Sequence, residues 1–404
     1  MITQLLANQS LTKEHLHHKQ QDDLRNIVRF AVQNTDYYRD RFCGFEEAEL
    51  KNLPLLRKQD VTANLDALLV RTAKDHAKLG HTGGSTGCPL AFWYDDAKHA
   101  LMRAGMTRSY MMSGWQPGQK IINFWGAARD IGAGGVFDDN PEASERTLPA
   151  QEFNETKLQE WAEFILAYQP VLLQGYASAL TALADFIIDH HHRMPPTLLG
   201  IYSTAEMLDD HARERMKRAF GCHVFNQYGS REIPNIACEC QHGNMHIFTD
   251  MVFLESLVLE DETRLIVTSL TNRLMPMIRY DIGDSGQLKE GDCRCGSPFP
   301  LMEVGLCRKN DFIRTTDGRR IHPSYFNRLL YGETRIKEYQ WVQDTPDHLT
   351  LNIVPHGNWP PHLSVLLQDS IQRDLDMRLD VKPSNTIART LSGKRRFVIG
   401  LPTL

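Results

Sequence analysis

Cysteine is scarce in this chain, with eight in 404 residues, which excludes a small scaffold held together by disulfides. Long apolar runs are missing too. The most apolar stretches, such as 164–173, are broken by polar side chains within a few residues, so no membrane-spanning helix is expected. Nor is there an excess of positive charge: 45 Lys plus Arg stand against 50 Asp plus Glu, a net of −5 with His neutral. Without a global positive field, nucleic acid and anionic membrane surfaces are excluded as partners. The start, MITQLLANQSLTKEHLHHKQ, has no basic segment leading into a continuous apolar core and a small-residue cleavage site, so a cytoplasmic location is expected. Internal repeats and low-complexity tracts are absent.

What is present is ordinary globular composition, 42% hydrophobic and 24% charged, in a chain too long for one hydrophobic core. Apolar residues at helical spacing over 13–42 predict one or two helices. A strand at 78–81 runs into a Gly/Ser/Thr loop. Strands and helices then alternate: helix 95–112, strand 121–125, helix 154–168, strand 171–174, helix 177–192, strand 198–203, helix 208–220, strand 223–228. That rhythm predicts an α/β fold with a mostly parallel, helix-flanked sheet, whose ligands sit beyond the carboxyl ends of the strands. Strands at 251–259, 264–270 and 277–281 follow without helices between them and predict a barrel-like antiparallel portion. After the polar junction Lys309-Asn310-Asp311, strands at 336–343 and 349–354, a helix at 363–377 and a last strand near Thr386 predict a small α+β domain. The expected boundary puts a large domain at 1–308 and a small one at 309–404.

Four segments carry chemistry. In Thr82-Gly83-Gly84-Ser85-Thr86-Gly87-Cys88-Pro89 the glycines free the backbone to turn N–H groups onto an anion, and Ser85 and Thr86 add hydroxyl donors; an ordinary turn has the same composition. Gln227-Tyr228-Gly229-Ser230-Arg231-Glu232 puts a carboxylate just past a strand, where it suits a divalent cation beside phosphates or is simply solvated. Arg279-Tyr280-Asp281-Ile282-Gly283-Asp284 ends a strand in a Gly-Asp turn that fits a ribose diol or a plain hairpin. Leu391-Ser392-Gly393-Lys394-Arg395-Arg396 places a lysine on a glycine-hinged loop.

In this order the four segments resemble the adenylate-forming (acyl-CoA synthetase-like) superfamily, and more closely its branch of phenylacetate-CoA ligases and capsular polysaccharide ligase-like proteins. The likeness covers nearly the whole chain, including Tyr37-Tyr38, Gln174-Gly175-Tyr176 and the hinge-like Cys307-Arg308-Lys309-Asn310-Asp311. It implies that Ser85, Thr86 and Gly87 hold the pyrophosphate end of ATP, with Tyr228, Gly229, Ser230 and Arg231 beside them. It further implies that Glu232 ligates magnesium, Asp284 binds the ribose with Arg308 assisting, and Ser203-Thr204-Ala205-Glu206 lines the adenine. Lys394 would bridge carboxylate and α-phosphate, on a small domain that rotates about Asp311. Cys88, Gly83, Cys307 and Arg231 depart from the usual residues at their positions.

The implied activity is ATP-dependent activation of a carboxylic acid to an acyl-adenylate, then transfer to a thiol, coenzyme A foremost. An amine or carrier-protein acceptor stays open, as do a homodimer and a catalytically degenerate binding protein. Phe124, Trp125, Gly126 and Tyr176 follow strands on the ligand side and suit a flat aryl acid. Separately, Cys240, His246, Cys293 and Cys295 supply the imidazole and three thiolates that tetrahedral structural zinc prefers. Cys238 competes with Cys240 for the first position, and Cys240 is preferred because it stands closer to His246. The resembled branch carries similar cysteines.

Overall fold

A computed structural model describes residues 1–42, 51–82, 90–125, 144–150, 153–206, 208, 210–259, 262–304, 313–321, 325–326, 329–330, 333, 335–355, 357–387 and 398–401. Its helices are α1 (Ile2–Asn8), α2 (Lys13–Asn34), α3 (Asp36–Arg41), α4 (Lys58–Ala63), α5 (Asp96–Met111), α6 (Glu155–Tyr168), α7 (Ala177–Asp189), α8 (Asp210–Phe220) and α9 (Pro361–Leu375). Its strands are β1 (Lys78–His81), β2 (Ala91–Tyr94), β3 (Ile121–Trp125), β4 (Glu145–Pro149), β5 (Leu172–Tyr176), β6 (Gly200–Thr204), β7 (His223–Tyr228), β8 (Ala237–Glu239), β9 (Met245–Ile247) and β10 (Val252–Leu259). They continue with β11 (Glu262–Ser269), β12 (Tyr280–Lys289), β13 (Leu301–Val304), β14 (Ile313–Arg314), β15 (Arg320–Ile321), β16 (Ile336–Thr345), β17 (His348–Pro355), β18 (Arg378–Pro383) and β19 (Val398–Ile399).

Eleven strands form one mixed sheet in the order β10-β11-β12-β13-β9-β8-β7-β6-β5-β3-β4. Strands β4, β3, β5, β6 and β7 are parallel, as the alternation predicts. From β7 onward the pairing is antiparallel. The corner is turned by β12, whose first residues pair with β11 while Gly286–Lys289 pair with β13. Helices start where polar caps allow: Asp95 accepts from the Lys98 N–H at the head of α5, and Asn154 from the Lys157 N–H at the head of α6.

Because successive side chains on a strand face opposite ways, the parallel strands feed two cores. Ile122, Phe124, Leu173, Ile201 and Val224 pack with Trp161, Ile165, Leu180, Leu183 and Met216 of α6, α7 and α8. Ile121, Leu172, Tyr202 and Phe225 face the other way, into a core shared with Tyr110 of α5 and Tyr38 of α3. A third core, built from residues 313 onward around Phe326, Trp341, Leu351 and Ile371, fills the space under a separate four-stranded sheet, β18-β17-β16-β19. The strand expected near Thr386 lies earlier, at β18. Strands β2, β4, β8, β9, β13, β14, β15 and β19 were not expected; all are five residues or shorter. Among the described residues no helix is long and apolar enough to cross a membrane.

Candidate active site

Two tyrosines and two carboxylates cross between neighbouring segments. Tyr228, the last residue of β7, donates its hydroxyl to Asp284 Oδ2 at 3.0 Å. Tyr280, the first residue of β12, donates in the opposite direction to Glu232 Oε1 at 3.1 Å. Each of the two motifs therefore supplies the donor for the other's acid. Glu232 is only 3% exposed, and a carboxylate so far from water needs a donor against it. Burial, and after it the Glu232 charge, holds the Tyr280 hydroxyl far above its ordinary pKa, so it keeps the proton it donates.

The loop carrying Glu232 is tight. The Ser230 N–H donates to the Ile233 carbonyl at 2.9 Å, the Ile236 N–H to the Tyr228 carbonyl at 3.0 Å, and the Ile233 N–H to Ser230 Oγ at 3.1 Å. Gly229 is required here because a Cβ would lie 2.9 Å from the Asn235 backbone nitrogen. Lys98 of α5 donates to the Glu232 carbonyl at 2.9 Å with its ammonium 4.5 Å over the Phe92 ring; burial lowers its pKa to about 8, against the pull of Glu232 and Asp95.

Asp281 is engaged by the Arg264 guanidinium, which reaches both its carboxylate oxygens at 2.8 Å, and by the Gly283 N–H at 3.1 Å. Asp281 thus anchors the turn, while Asp284 is partly exposed and faces Tyr228. Arg231 is likewise partly exposed on the neighbouring loop.

At the end of β6, Thr204 donates its hydroxyl to the Gln227 carbonyl at 3.2 Å, tying this strand to β7. Ala205 has φ of +65°, a left-handed conformation that costs a non-glycine residue on the order of 1 kcal/mol; Glu206 continues the turn. The Ser203 side chain is fully buried. Alternation puts it on the same face as Ile201, toward α7 and α8.

Of the residues expected around the acid, Trp125 and Tyr176 meet, with ring centroids 4.8 Å apart and planes at 31°. Phe124 does not join them. It is completely buried and packs on Trp161 at 4.9 Å, in the core beneath α6 and α7. One tier below the ring pair lies a row of buried polar side chains, among them Asn123, which the sequence pattern places beside Phe124 in the expected acid pocket, and Gln174 of the strand end that shares the family likeness. Tyr110 donates to Gln174 Oε1, Gln174 Nε2 donates to Gln227 Oε1 at 3.2 Å, and Asn123 Nδ2 donates to Glu145 Oε1 at 2.7 Å. The signal was present: Asn and Gln interrupt the apolar strands IINFW and LLQGY.

Away from this site, Cys240, His246, Cys293 and Cys295 converge, their ligand atoms all within 4.8 Å of one another. Cys240 Sγ is 3.6 Å from Cys293 Sγ, and His246 Nε2 is 3.2 Å from Cys295 Sγ. His246 Nδ1 lies 2.9 Å from the Phe299 carbonyl; a carbonyl only accepts, so Nδ1 carries the proton and Nε2 turns its lone pair to the thiols. Backbone N–H groups of His242, Cys295 and Ser297 point at the sulfurs of Cys240, Cys293 and Cys295. Burial raises the Cys293 thiol, but the Cys295 N–H and Asn244 outweigh it and bring it down to about 6. Cys238, the rival ligand, is buried and directed to the Glu239 carbonyl instead. Ser85, Thr86, Gly87, Gly126, Arg308, Asp311 and Lys394 lie outside the described residues.

No protein-family model matches the chain. It is 25% identical to protein CapK of Staphylococcus aureus over 87% of this chain and 80% of that protein. It is 24% identical to the phenylacetate-coenzyme A ligase of Pseudomonas putida over 95% of this chain and 86% of that one. Among solved structures, 2-hydroxyisobutyryl-CoA ligase, crystallised with 2-HIB-AMP and CoA, has the same fold with a TM-score of 0.65 and 18% identity, covering 97% of this chain and 91% of that one. These likenesses agree with the resemblance that the motifs imply. The relatives are those of the branch named from the sequence, CapK and the phenylacetate-CoA ligases.

Proposed function

We propose that the chain is an adenylate-forming ligase: it joins a carboxylic acid to AMP at the expense of ATP, releasing pyrophosphate, and passes the acyl group to a thiol, coenzyme A foremost. The observation that carries this reading is the crossed pair Tyr228–Asp284 and Tyr280–Glu232, which draws two motifs distant in sequence into one acidic site beyond the strand ends. Relatives named phenylacetate-coenzyme A ligase support it.

A free carboxylate is a poor acyl donor; attack of its oxygen on the α-phosphorus, with pyrophosphate leaving, turns it into a mixed anhydride. Asp284, set by Tyr228, accepts from the ribose hydroxyls. Glu232 suits a magnesium ion, a hard cation that takes oxygen ligands, since among the described residues only one of its carboxylate oxygens is engaged, by Tyr280. Magnesium would supply charge neutralisation at the phosphates. The strand-end rings Trp125 and Tyr176 receive a flat acid. Ser85, Thr86 and Gly87 are assigned to the pyrophosphate end, Arg308 to the ribose side, and Lys394, on a small domain beginning at residue 309, to the charge that develops during adenylation. The Cys240, His246, Cys293 and Cys295 set fits zinc in donor type, with the His246 ring held by the Phe299 carbonyl, and four protein ligands leave no position for water, so its role is structural.

The test is acid-dependent exchange of labelled pyrophosphate into ATP over a panel of aryl and aliphatic acids, followed by AMP release with added coenzyme A. Exchange with at least one acid, accelerated release with coenzyme A, and loss of exchange in Lys394→Ala are expected. Silence over the whole panel with the fold intact would overturn the reading.

A further inference from the structure

Asn123 is 91% buried by its 9% exposure, yet its Oδ1 has no hydrogen-bond partner among the described residues. Its amide is not free to turn. Nδ2 donates to Glu145 Oε1 at 2.7 Å, and Glu145 is gripped by both terminal nitrogens of Arg103, at 3.2 and 2.6 Å. Rotating the amide would set its carbonyl oxygen against a carboxylate, so the chain Arg103–Glu145–Asn123 holds Oδ1 turned away from the Glu145 carboxylate.

On β5, the neighbour of β3 on the side opposite β4, Gln174 stands directly opposite Asn123. Gln174 makes its bonds elsewhere, its Oε1 accepting from the Tyr110 hydroxyl and its Nε2 donating to Gln227, and no bond joins it to Oδ1. Two residues further along each strand, Trp125 and Tyr176 form the ring pair assigned above to the acid. Two strand residues rise about 7 Å, roughly the length of an aromatic ring with one substituent. An acid that lies along the rings with its carboxylate at the strand ends brings its far end to Asn123.

We propose that Asn123 is a specificity-determining residue, held by Glu145 and Arg103, whose carbonyl oxygen accepts a hydrogen bond from a hydroxyl on the acid, so that the preferred substrates are hydroxylated aryl acids. This rests on the acid-activating function proposed above. A bare apolar ring would leave Oδ1 buried and unpaired, which a site built this way disfavours. An ether oxygen, which only accepts, would meet another acceptor.

The experiment uses the full chain and three matched sets of benzoates and phenylacetates: unsubstituted, ring-hydroxylated at each position, and the corresponding methoxy acids. Affinity is measured by calorimetry without ATP, and turnover by pyrophosphate exchange. At least one hydroxy acid should bind tenfold or more tightly than both its parent and its methoxy analogue. In Asn123→Leu that ratio should fall to within threefold of one. In Glu145→Gln the new amide can donate to Oδ1, letting Asn123 turn its Nδ2 inward, and the preference should shift from hydroxy toward methoxy. Equal binding of the three sets by the wild-type chain, or an unchanged ratio in Asn123→Leu, would overturn the proposal and assign Oδ1 to buried water. A hydroxyl preference in calorimetry with no exchange for any acid would instead overturn the adenylation reading and leave Asn123 as an acid-recognition residue.

Discussion

Glu232 and Asp284 look alike in the sequence, each an acid closing a glycine-containing turn, but their surroundings separate them. Glu232 is almost wholly withdrawn from water and depends on Tyr280, whereas Asp284 and Tyr228 are partly exposed. Tyr280→Phe should therefore lower stability by about 1–3 kcal/mol in urea unfolding, because it leaves a buried carboxylate without its donor. Tyr228→Phe should cost under ~1 kcal/mol and act mainly on nucleotide affinity. A second residue-scale expectation concerns Glu145, whose burial pushes its pKa up but whose bond to Arg103 outweighs that and holds it below the ordinary carboxylate range. Its stabilisation is complete above that ordinary range and is lost as pH falls through the lowered value. The stability difference between the wild-type chain and Arg103→Met, below about 1 kcal/mol for so exposed an arginine, should be seen at pH 7 and shrink toward pH 3. Both acids of the site were legible as residue types at strand ends. Which tyrosine serves which acid was not, because the partners lie 56 and 48 positions apart and only the sheet's path brings them together.

At the level of elements, the alternation of apolar runs and helical periods exposed most of the parallel half of the sheet because β3, β5 and β6 are buried on both faces and the helices between them are long. The strands it missed are too short for a period to register, and two of them, Glu145–Pro149 and Met245–Ile247, also carry charged or polar residues where the sheet meets its edge or the metal-ligand cluster. The same two-residue alternation explains why Phe124, beside Trp125 in the sequence, is core. Close packing between strands sets another limit. A Cβ on Gly175 would lie 2.7 Å from Phe124 Cβ and 2.8 Å from the Phe124 carbonyl oxygen, and neither atom can swing aside. Gly175→Ala should destabilise the chain by about 1–3 kcal/mol and shift β5 against β3, so that thermal unfolding moves down and acid affinity weakens together. Gly221→Ala, where φ is +68° but the space is open, should cost backbone strain alone and leave acid affinity unchanged.

Across the whole molecule, two arrangements hold distant segments together. The thiol–imidazole cluster joins the hairpin carrying Cys240 and His246 to the loop carrying Cys293 and Cys295, and zinc bound there would add folding free energy. Purified chain should contain about one equivalent of zinc by elemental analysis, and Cys295→Ser should lose it and unfold at lower temperature; Cys238→Ser, outside the cluster, should keep the metal. The second arrangement is the crossed tyrosine–carboxylate pair, on which the functional reading depends. Calorimetric titration with MgATP tests it most directly. Saturable binding by the wild-type chain, weakened at least tenfold in Asp284→Ala and in Glu232→Gln while both variants keep the wild-type unfolding profile, is the expected result. Equal affinity in all three proteins, or no binding by any of them, would contradict a nucleotide site at the meeting point of these two motifs.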